Sequence, residues 1–549
     1  MNFLENIFDR LGREPGRVVL QEARDARLVP ATAGELLDLV RRARSFVRAA
    51  GLKKGDRCAL LAANSIRWVG VDLALMAEGV LVVPLYSRQA PRELAAMVRD
   101  SGATVVCCAD AALRDALARE LASPPRMALF EEVFASAGNG IADAPAPRAD
   151  ADPVTIIYTS GTSGDAKGVV LTAANINHML KCTTQRLDAL MNQPRAEPER
   201  VFHYLPFNFA GSWISLLSGL SRNAVVTLST DLTKLADEMR LAAPEYFLNV
   251  PALLERVKKG IEEQIEKRGG LARALFTRAK AAWFRRQEGK GSGLDALWLA
   301  LARSFVFPAI RRKLSPNLKA LICGSAALAP ETQQFFFMLS IPVLQVYGLT
   351  ETTAICTMDV PGRVEPGWVG PAIEDTKMKL GEGDEILVRG PHIFPGYWNR
   401  LEETAKVLRD GWFHTGDQGE VNARGNWRIS GRIKDLLILA SGHNIAPEPL
   451  EDVLARQIPG AQQVVLVGDQ RSYLAALVTG TATRQQVEAA LAAFNDGLPH
   501  YKRIHAFHIC PEAFTIENGL LTANGKLKRD AIAARYQREI EELYGSRSR

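Results

Sequence analysis

Two kinds of block alternate along the first 150 residues. Short apolar runs, Arg57-Cys-Ala-Leu-Leu-Ala, Val80-Leu-Val-Val-Pro-Leu-Tyr and Ala103-Thr-Val-Val-Cys-Cys, read as strands buried on both faces. Between them lie amphipathic stretches with helical spacing, such as Ala33-Gly-Glu-Leu-Leu-Asp-Leu-Val-Arg-Arg-Ala and Pro91-Arg-Glu-Leu-Ala-Ala-Met-Val. This alternation predicts βαβ units and a mainly parallel sheet, an α/β fold class. A Pro/Ala/Asp-rich stretch from Ile141 to Pro153 reads as a linker to a second α/β unit that runs to about residue 340. From about 365 onward, short runs, many glycines and turns predict a β-rich subdomain. The last 110 residues or so mix helix and strand again.

The same pattern argues against membrane spans. The longest apolar stretch, Trp68 to Tyr86, is interrupted by Asp72 and Glu78, and Leu294 to Ile310 contains Asp295, Arg303 and Pro308. The opening residues carry acids early and show no apolar signal core. Seven cysteines, odd in number and without a CxxC pair, fit reduced thiols in a cytosol-like compartment. Cys107 and Cys108 lie in an apolar run and read as buried core thiols. The expected location is cytoplasmic, with peripheral contact at the inner face of the membrane as one reading.

Charge changes the picture in one place. The net +6 is modest, but residues 255–313 hold fifteen Lys/Arg against six Asp/Glu. That local excess suggests a dedicated surface on a slightly acidic body. A solvated helical face and an anionic-membrane contact are both open readings; nucleic acid is not an expected partner. Trp283 and Phe284 beside Arg285 and Arg286 suit an interfacial helix.

Candidate chemistry is densest in Thr155-Ile-Ile-Tyr-Thr-Ser-Gly-Thr-Ser-Gly-Asp-Ala-Lys-Gly-Val-Val-Leu-Thr172. An apolar strand enters a loop with Thr159, Ser160, Thr162, Ser163, Gly161, Gly164 and Gly168, plus one lysine, Lys167, and a second strand follows. Glycines let backbone N–H groups turn inward, hydroxyls donate further bonds, and the lysine neutralises charge, which suits a polyphosphate. It is not a GxxxxGK[ST] loop, because Gly168 follows the lysine. A plain Gly/Ser hairpin is the alternative.

This stretch resembles the phosphate loop of the adenylate-forming superfamily, which includes acyl-CoA synthetases, nonribosomal-peptide adenylation domains and luciferases. Further signatures follow in the expected order: Gly324-Ser325-Ala326-Ala-Leu, Val346-Tyr347-Gly348-Leu-Thr350-Glu351-Thr352, Gly411-Trp-Phe-His-Thr-Gly-Asp417, Gly431-Arg432-Ile-Lys434-Asp-Leu436 and Asn524-Gly-Lys526. The resemblance implies a large N-terminal domain, residues 1–432, of two doubly wound α/β subdomains plus a β-rich subdomain. A small mobile α+β C-terminal lid, 433–549, would carry the catalytic lysine.

The implied roles suit the residue types. Tyr347 offers a face for adenine, and Thr350 a hydroxyl to the α-phosphate. Glu351 supplies a hard oxygen for Mg²⁺. Asp417 accepts from a ribose diol, and Arg432 donates to the same sugar. Lys167 and Lys526 neutralise developing charge. Lys434 marks the hinge, and Ser441 and Gly442 would meet the thiol donor. Read singly, Tyr347 is equally a core aromatic and Asp417 a turn former. The implied reaction uses ATP to convert a carboxylate to an acyl-adenylate, which a thiol such as that of CoA then attacks.

Phe514-Thr-Ile-Glu-Asn-Gly-Leu-Leu-Thr-Ala-Asn-Gly-Lys-Leu-Lys-Arg529 and the long basic insertion after Asn249 look like long-chain fatty acyl-CoA synthetases. An acyl carrier protein as acceptor, and closure of a hydroxy acid to a β-lactone, are the alternatives. In Tyr204-Leu-Pro-Phe-Asn-Phe-Ala-Gly-Ser-Trp213, Phe209 stands where members often carry histidine, and His443 is more familiar from acetate-type ligases. Phe207, Asn208, Phe209, Trp213 and Gly324 are the pocket candidates. An apolar tunnel and a packed core helix are equally open for Phe207, Phe209, Trp213, Ile214, Leu216 and Leu217.

Overall fold

The computed structural model describes residues 2–160, 166–522 and 525–545. The three early apolar runs form Arg57–Leu61, Leu81–Leu85 and Val105–Cys108, as expected. They join Arg126–Leu129, Pro153–Ser160 and Ala166–Thr172 in one six-stranded sheet, parallel except for the last hairpin strand. A second sheet is ordered Arg27–Thr32, Val18–Arg24, Ala224–Ser229, Glu199–His203. A third, short one is ordered Leu248–Asn249, Leu321–Cys323, Val343–Tyr347, Thr357–Met358.

This topology corrects the linker reading of Ile141–Pro153. The strands at 153–172 complete the first sheet, whereas the N-terminal pair at 18–32 belongs to the second. Neighbours in a parallel sheet are chosen by burial of both faces and edges, not by order along the chain. The stretch itself is tied down: Arg148 donates to the carbonyls of Pro153 and Met76 (both 2.8 Å), and the Asp150 and Asp152 carbonyls accept from Ala174 and Ala173 at the start of the helix Ala173–Met191.

The expected β-rich unit is a five-stranded antiparallel sheet between Lys377 and Arg432. A short 3₁₀ turn, Ile433–Asp435, leads from it into the C-terminal α+β unit. There a three-stranded sheet (Ala461–Val467, Leu474–Gly480, Ile504–Ile509) packs with helices Pro447–Gln457 and Arg484–Asp496 around its own core. All seven cysteines are free and buried, as the apolar context predicts.

The basic region is four helices, Pro251–Arg268, Gly270–Gln287, Gly293–Phe305 and Phe307–Leu314. Their inner faces bury Phe276, Ala279, Leu299 and Phe307 against Phe335 and Phe336. Trp283 packs on this core with its indole N–H enclosed and unpartnered, and Arg285 pairs with buried Asp295. Trp283, half-buried, and Arg285, exposed but paired, thus both take part in holding the fold. Among the described residues no single helix is long and apolar enough to cross a membrane.

Asp72, the charge that interrupts the longest apolar run, lies buried on the helix Ile66–Ala77 and accepts from Trp213 Nε1 at 2.9 Å. Its other oxygen has no hydrogen-bond partner, and burial pushes its pKa up to about 7 despite the indole bond. The native state thus holds a proton that the unfolded chain, titrating near 3.9, has released, so stability falls as pH rises between those values. Asp72→Asn is expected to be about 1–2 kcal/mol more stable than wild type at pH 8, after discounting an unsatisfied amide, and to lose that advantage near pH 4. Chemical denaturation at the two pH values measures this; a pH-independent difference refutes it.

Candidate active site

The site forms where the third sheet meets the β-rich sheet. Tyr347 ends the strand Val343–Tyr347, and its hydroxyl donates to Asp417 Oδ2 at 2.7 Å. Asp417 lies on Trp412–Val421, in register with Arg432 on Trp427–Arg432, whose Nε forms an ion pair with Asp417 Oδ1 at 2.9 Å. Both carboxylate oxygens of a buried aspartate are thereby engaged. Burial and the nearby carboxylate push the Tyr347 phenol well above its ordinary range, so it stays a donor, while Asp417 keeps Arg432 charged.

Sharp local geometry follows Tyr347. A Cβ on Gly348 would clash with the backbone of Ala354 and Ile355, so only glycine admits this close return of the chain. The 3₁₀ turn Thr350–Thr352 then presents Thr350, half-buried, and Glu351, buried. On the other side of the third sheet's edge, a Cβ on Gly324 would meet Val346 Cγ2 at 2.6 Å, and Ser325 and Ala326 follow with accessible surface.

The phosphate-loop hairpin has the predicted two strands, with Tyr158 opposite Gly168 and Thr159 opposite Lys167. The candidate residues Gly161, Thr162, Ser163 and Gly164 lie outside the described residues, and of Ser160 only the backbone, opposite Ala166, is described. Lys167 Nζ is 2.5 Å from Glu403 Oε2 and stands 5.3 Å from the centre of the Tyr397 ring. The Tyr397 hydroxyl donates to Glu351 Oε1 at 2.8 Å.

Tyr397 and Glu403 are the functional residues that sequence reasoning missed. They sit on a strap, 394–406, whose backbone joins the hairpin through Trp398 N to Gly168 O at 2.7 Å and Val170 N to Gly396 O at 3.3 Å. The available signal is the run Gly396-Tyr-Trp398 followed by Glu402-Glu403. Hydrogen bonds from Lys167 and Lys406 hold Glu403 down at about 2, so it remains ionised. Glu351 keeps one oxygen without a bond from any described residue. A buried carboxylate with one anchored and one open oxygen fits a hard divalent cation such as Mg²⁺.

Lys526 reaches this cluster from the C-terminal unit. Its loop is a tight return: Thr522 N donates to Lys526 O at 2.8 Å, Lys526 N donates to Thr522 Oγ1 at 3.1 Å, and Leu521 bridges Leu527. The Lys526 side chain is exposed, and the surrounding protein, with the Arg432 guanidinium, holds its pKa below the ordinary lysine range, with Asp417, Glu448 and Asp435 opposing. No hydrogen bond or ion pair joins its Nζ to another described residue. Lys434 is exposed in the 3₁₀ turn between the units. Ser441 and Gly442 form an exposed turn, with Ser441 Oγ 3.0 Å from His443 Nδ1 and the His443 ring stacked on Tyr501; no described contact joins them to the lysine cluster.

The pocket candidates divide. Phe207 is buried between Trp68 and His203, at ring separations of 4.6 and 4.8 Å, and Trp213, Ile214, Leu216 and Leu217 are buried on the apolar helix Ala210–Leu220. That is core packing, which resolves the open tunnel-or-core question for these five residues. Asn208 and Phe209 retain accessible surface, and Asn208 Oδ1 is enclosed without a partner.

The family model for AMP-binding enzymes matches residues 8–398, and the model for the AMP-binding enzyme C-terminal domain matches 434–548. The long-chain-fatty-acid–CoA ligase FadD15 of Mycobacterium bovis is 27% identical, over 99% of this chain and 97% of its own. The long chain acyl-CoA synthetase 3 of Arabidopsis thaliana is 25% identical, over 96% and 89%. Among solved structures, the adenylation domain of a carboxylate reductase from Mycobacterium chelonae matches with a TM-score of 0.78 at 20% identity, over 99% of this chain and 91% of its own.

Tyr397→Phe keeps the ring beneath Lys167 but removes the donor to Glu351. The expected result is at least a tenfold loss in ATP-dependent adenylate formation, the scale of one hydrogen bond to a charged group. Pyrophosphate release measures it, with thermal unfolding as a check that the fold persists; a wild-type rate refutes the positioning role.

Proposed function

The chain belongs to the AMP-binding enzyme family, and we propose that it is an ATP-dependent medium- to long-chain fatty acid:CoA ligase of the AMP-forming kind. The observation that carries this reading is the Tyr347–Asp417–Arg432 cluster beside buried Glu351 with its open oxygen, in a chain that the AMP-binding enzyme model matches over residues 8–398. The names of the curated relatives support the fatty-acid and CoA parts of the reading.

In the first half-reaction a fatty-acid carboxylate attacks the α-phosphate of ATP, and pyrophosphate leaves. Tyr347 offers its ring to adenine, and Asp417 and Arg432 hold the ribose. Thr350 donates to the α-phosphate, and Lys167 exchanges Glu403 for the outgoing phosphates. Lys526 neutralises charge shared between the carboxylate and the α-phosphate. Mg²⁺ on the open oxygen of Glu351 would screen the phosphates. Adenylation turns a poor electrophile into one with a good leaving group. In the second half-reaction the C-terminal unit pivots at Lys434 and brings the Ser441–Gly442 turn to the thiol of CoA, which attacks the acyl carbonyl and expels AMP. Asn208, Phe209 and Gly324 line the acyl entrance on this reading, with Asn208 Oδ1 as its polar group.

The expected outcome across straight-chain acids from C2 to C18 is pyrophosphate release that peaks at medium-to-long chains and becomes catalytic when CoA is added. Acetate or an aromatic acid outperforming dodecanoate refutes the chain-length assignment. Turnover with an acyl carrier protein but not CoA moves the protein to the carrier-loading alternative, and lactone formation without any thiol to the other.

Peripheral contact with anionic membrane is part of the proposal, on surfaces other than Trp283. Leu271, Leu294, Leu297 and Phe305 are 84, 67, 51 and 74% exposed. Positions 294, 297, 301 and 305 share one face of the helix Gly293–Phe305. Lys267, Arg268 and Arg303 are exposed nearby and form no ion pair among the described residues. Binding to phosphatidylglycerol-containing vesicles is expected to fall with salt, since exposed charges are screened beyond about 10 Å at 0.1 M. It is also expected to fall on reversing Lys267, Arg268 and Arg303 to Glu. Sedimentation unchanged by either leaves a solvated face.

A further inference from the structure

We propose that Glu93 is a positioning residue for Lys526: its ion pair with Lys528 latches the lysine loop over the ATP site during adenylate formation. The inference rests on the two-pose reading given above. Lys528 and Arg529 are consecutive, yet they grip different units. Arg529 makes a two-pronged pair with buried Glu451, on the helix Pro447–Gln457 of its own unit, at 2.7 and 2.5 Å. Glu451 is itself fixed by Leu466 N at 2.6 Å. Lys528 instead donates to Glu93 Oε1 at 2.8 Å, across to the helix Pro91–Ser101 that covers the first sheet. Any pivot carries the Arg529 pair along unchanged and must break the Lys528 pair.

The latch sits where it acts on the lysine. Lys528 is two residues from Lys526, and its own N–H donates to Leu520 O at 2.9 Å, so the pair pins the returning arm that carries Lys526. Glu93 is prepared for the role. Its second oxygen accepts from Gln89 at 2.7 Å, and although burial pushes its pKa up, the bonds from Lys528 and Gln89 bring it below the ordinary carboxylate value. A second contact crosses at the other flank, Arg456 Nη1 lying 4.0 Å from Glu255 on the helix Pro251–Arg268. The C-terminal unit therefore rests one cation on each α/β subdomain. The Glu93 pair, shorter and closer to the loop, is the one that sets the position of Lys526.

An ion pair of this exposure is a weak bond, and weakness suits a latch that must open every turnover. Glu93→Gln is expected to slow adenylate formation, followed by pyrophosphate release, about three- to fivefold at low ionic strength. The same variant is expected to convert supplied acyl-adenylate and CoA to thioester at the wild-type rate or faster. The charge swap Glu93→Lys with Lys528→Glu is expected to restore adenylate formation, and high salt to erase the difference between wild type and Glu93→Gln. Equal loss in both half-reactions, no loss in either, or no recovery in the swap overturns the latch. Lys526→Ala serves as the reference: its adenylation defect must exceed that of Glu93→Gln while thioester formation persists. If Lys526→Ala adenylates normally, the role of the lysine itself fails, whatever Glu93 does.

Discussion

The carboxylate of Asp417 is the interaction around which the site is organised. One oxygen accepts from Tyr347 and the other pairs with the Arg432 guanidinium, so a single buried group joins the third sheet, the β-rich sheet and the last residue before the turn Ile433–Asp435. A buried charge is tolerated only when paired and hydrogen-bonded, and here Arg432 and Tyr347 meet the two conditions. Removing Arg432 would leave the Asp417 charge enclosed without its counter-charge. The fold thus ties this cluster to the turn that leads into the C-terminal unit.

The cations of the site are handled in two ways. Lys167 lies on the strand Ala166–Thr172 and is kept by Glu403 and the Tyr397 ring, so its charge is already compensated by the protein. Lys526 stands on a tight return from a separate core, and its neighbours include Arg432. Crowding cations lowers the affinity of each for its proton and raises the attraction of the site for an anion. Cations held in this way suit the electrostatic stabilisation that transfer at a phosphate requires.

Apolar substrate chemistry is carried by different elements. The loop 204–209 is held by core contacts, with Asn64 donating to Leu205 O and accepting from Phe207 N, and with His203, Ser212 and Leu205 O bonded together. This fixed base leaves Asn208 and Phe209 at its surface. The four-helix insertion buries its aromatic inner face and turns leucines and unpaired cations outward. The Tyr347–Asp417–Arg432 cluster and these apolar surfaces are in this way built on separate elements.

Much of this was legible in the chain. The apolar runs at 57–62, 80–86 and 103–108 became strands because they are short and continuous between turn signals, and the glycine-bounded turns around Tyr347, Asp417 and Arg432 were legible because turn chemistry is local. The tertiary structure decided what depends on distance through space. It sent the strands at 153–172 back to the first sheet, turned Trp213 inward to meet Asp72, and enclosed Trp283. It also brought Glu403 to Lys167, 236 residues away, and Glu93 to Lys528, 435 residues away. Periodicity reports which face of an element is buried but not which element covers it, and a lone glutamate carries no mark of its partner.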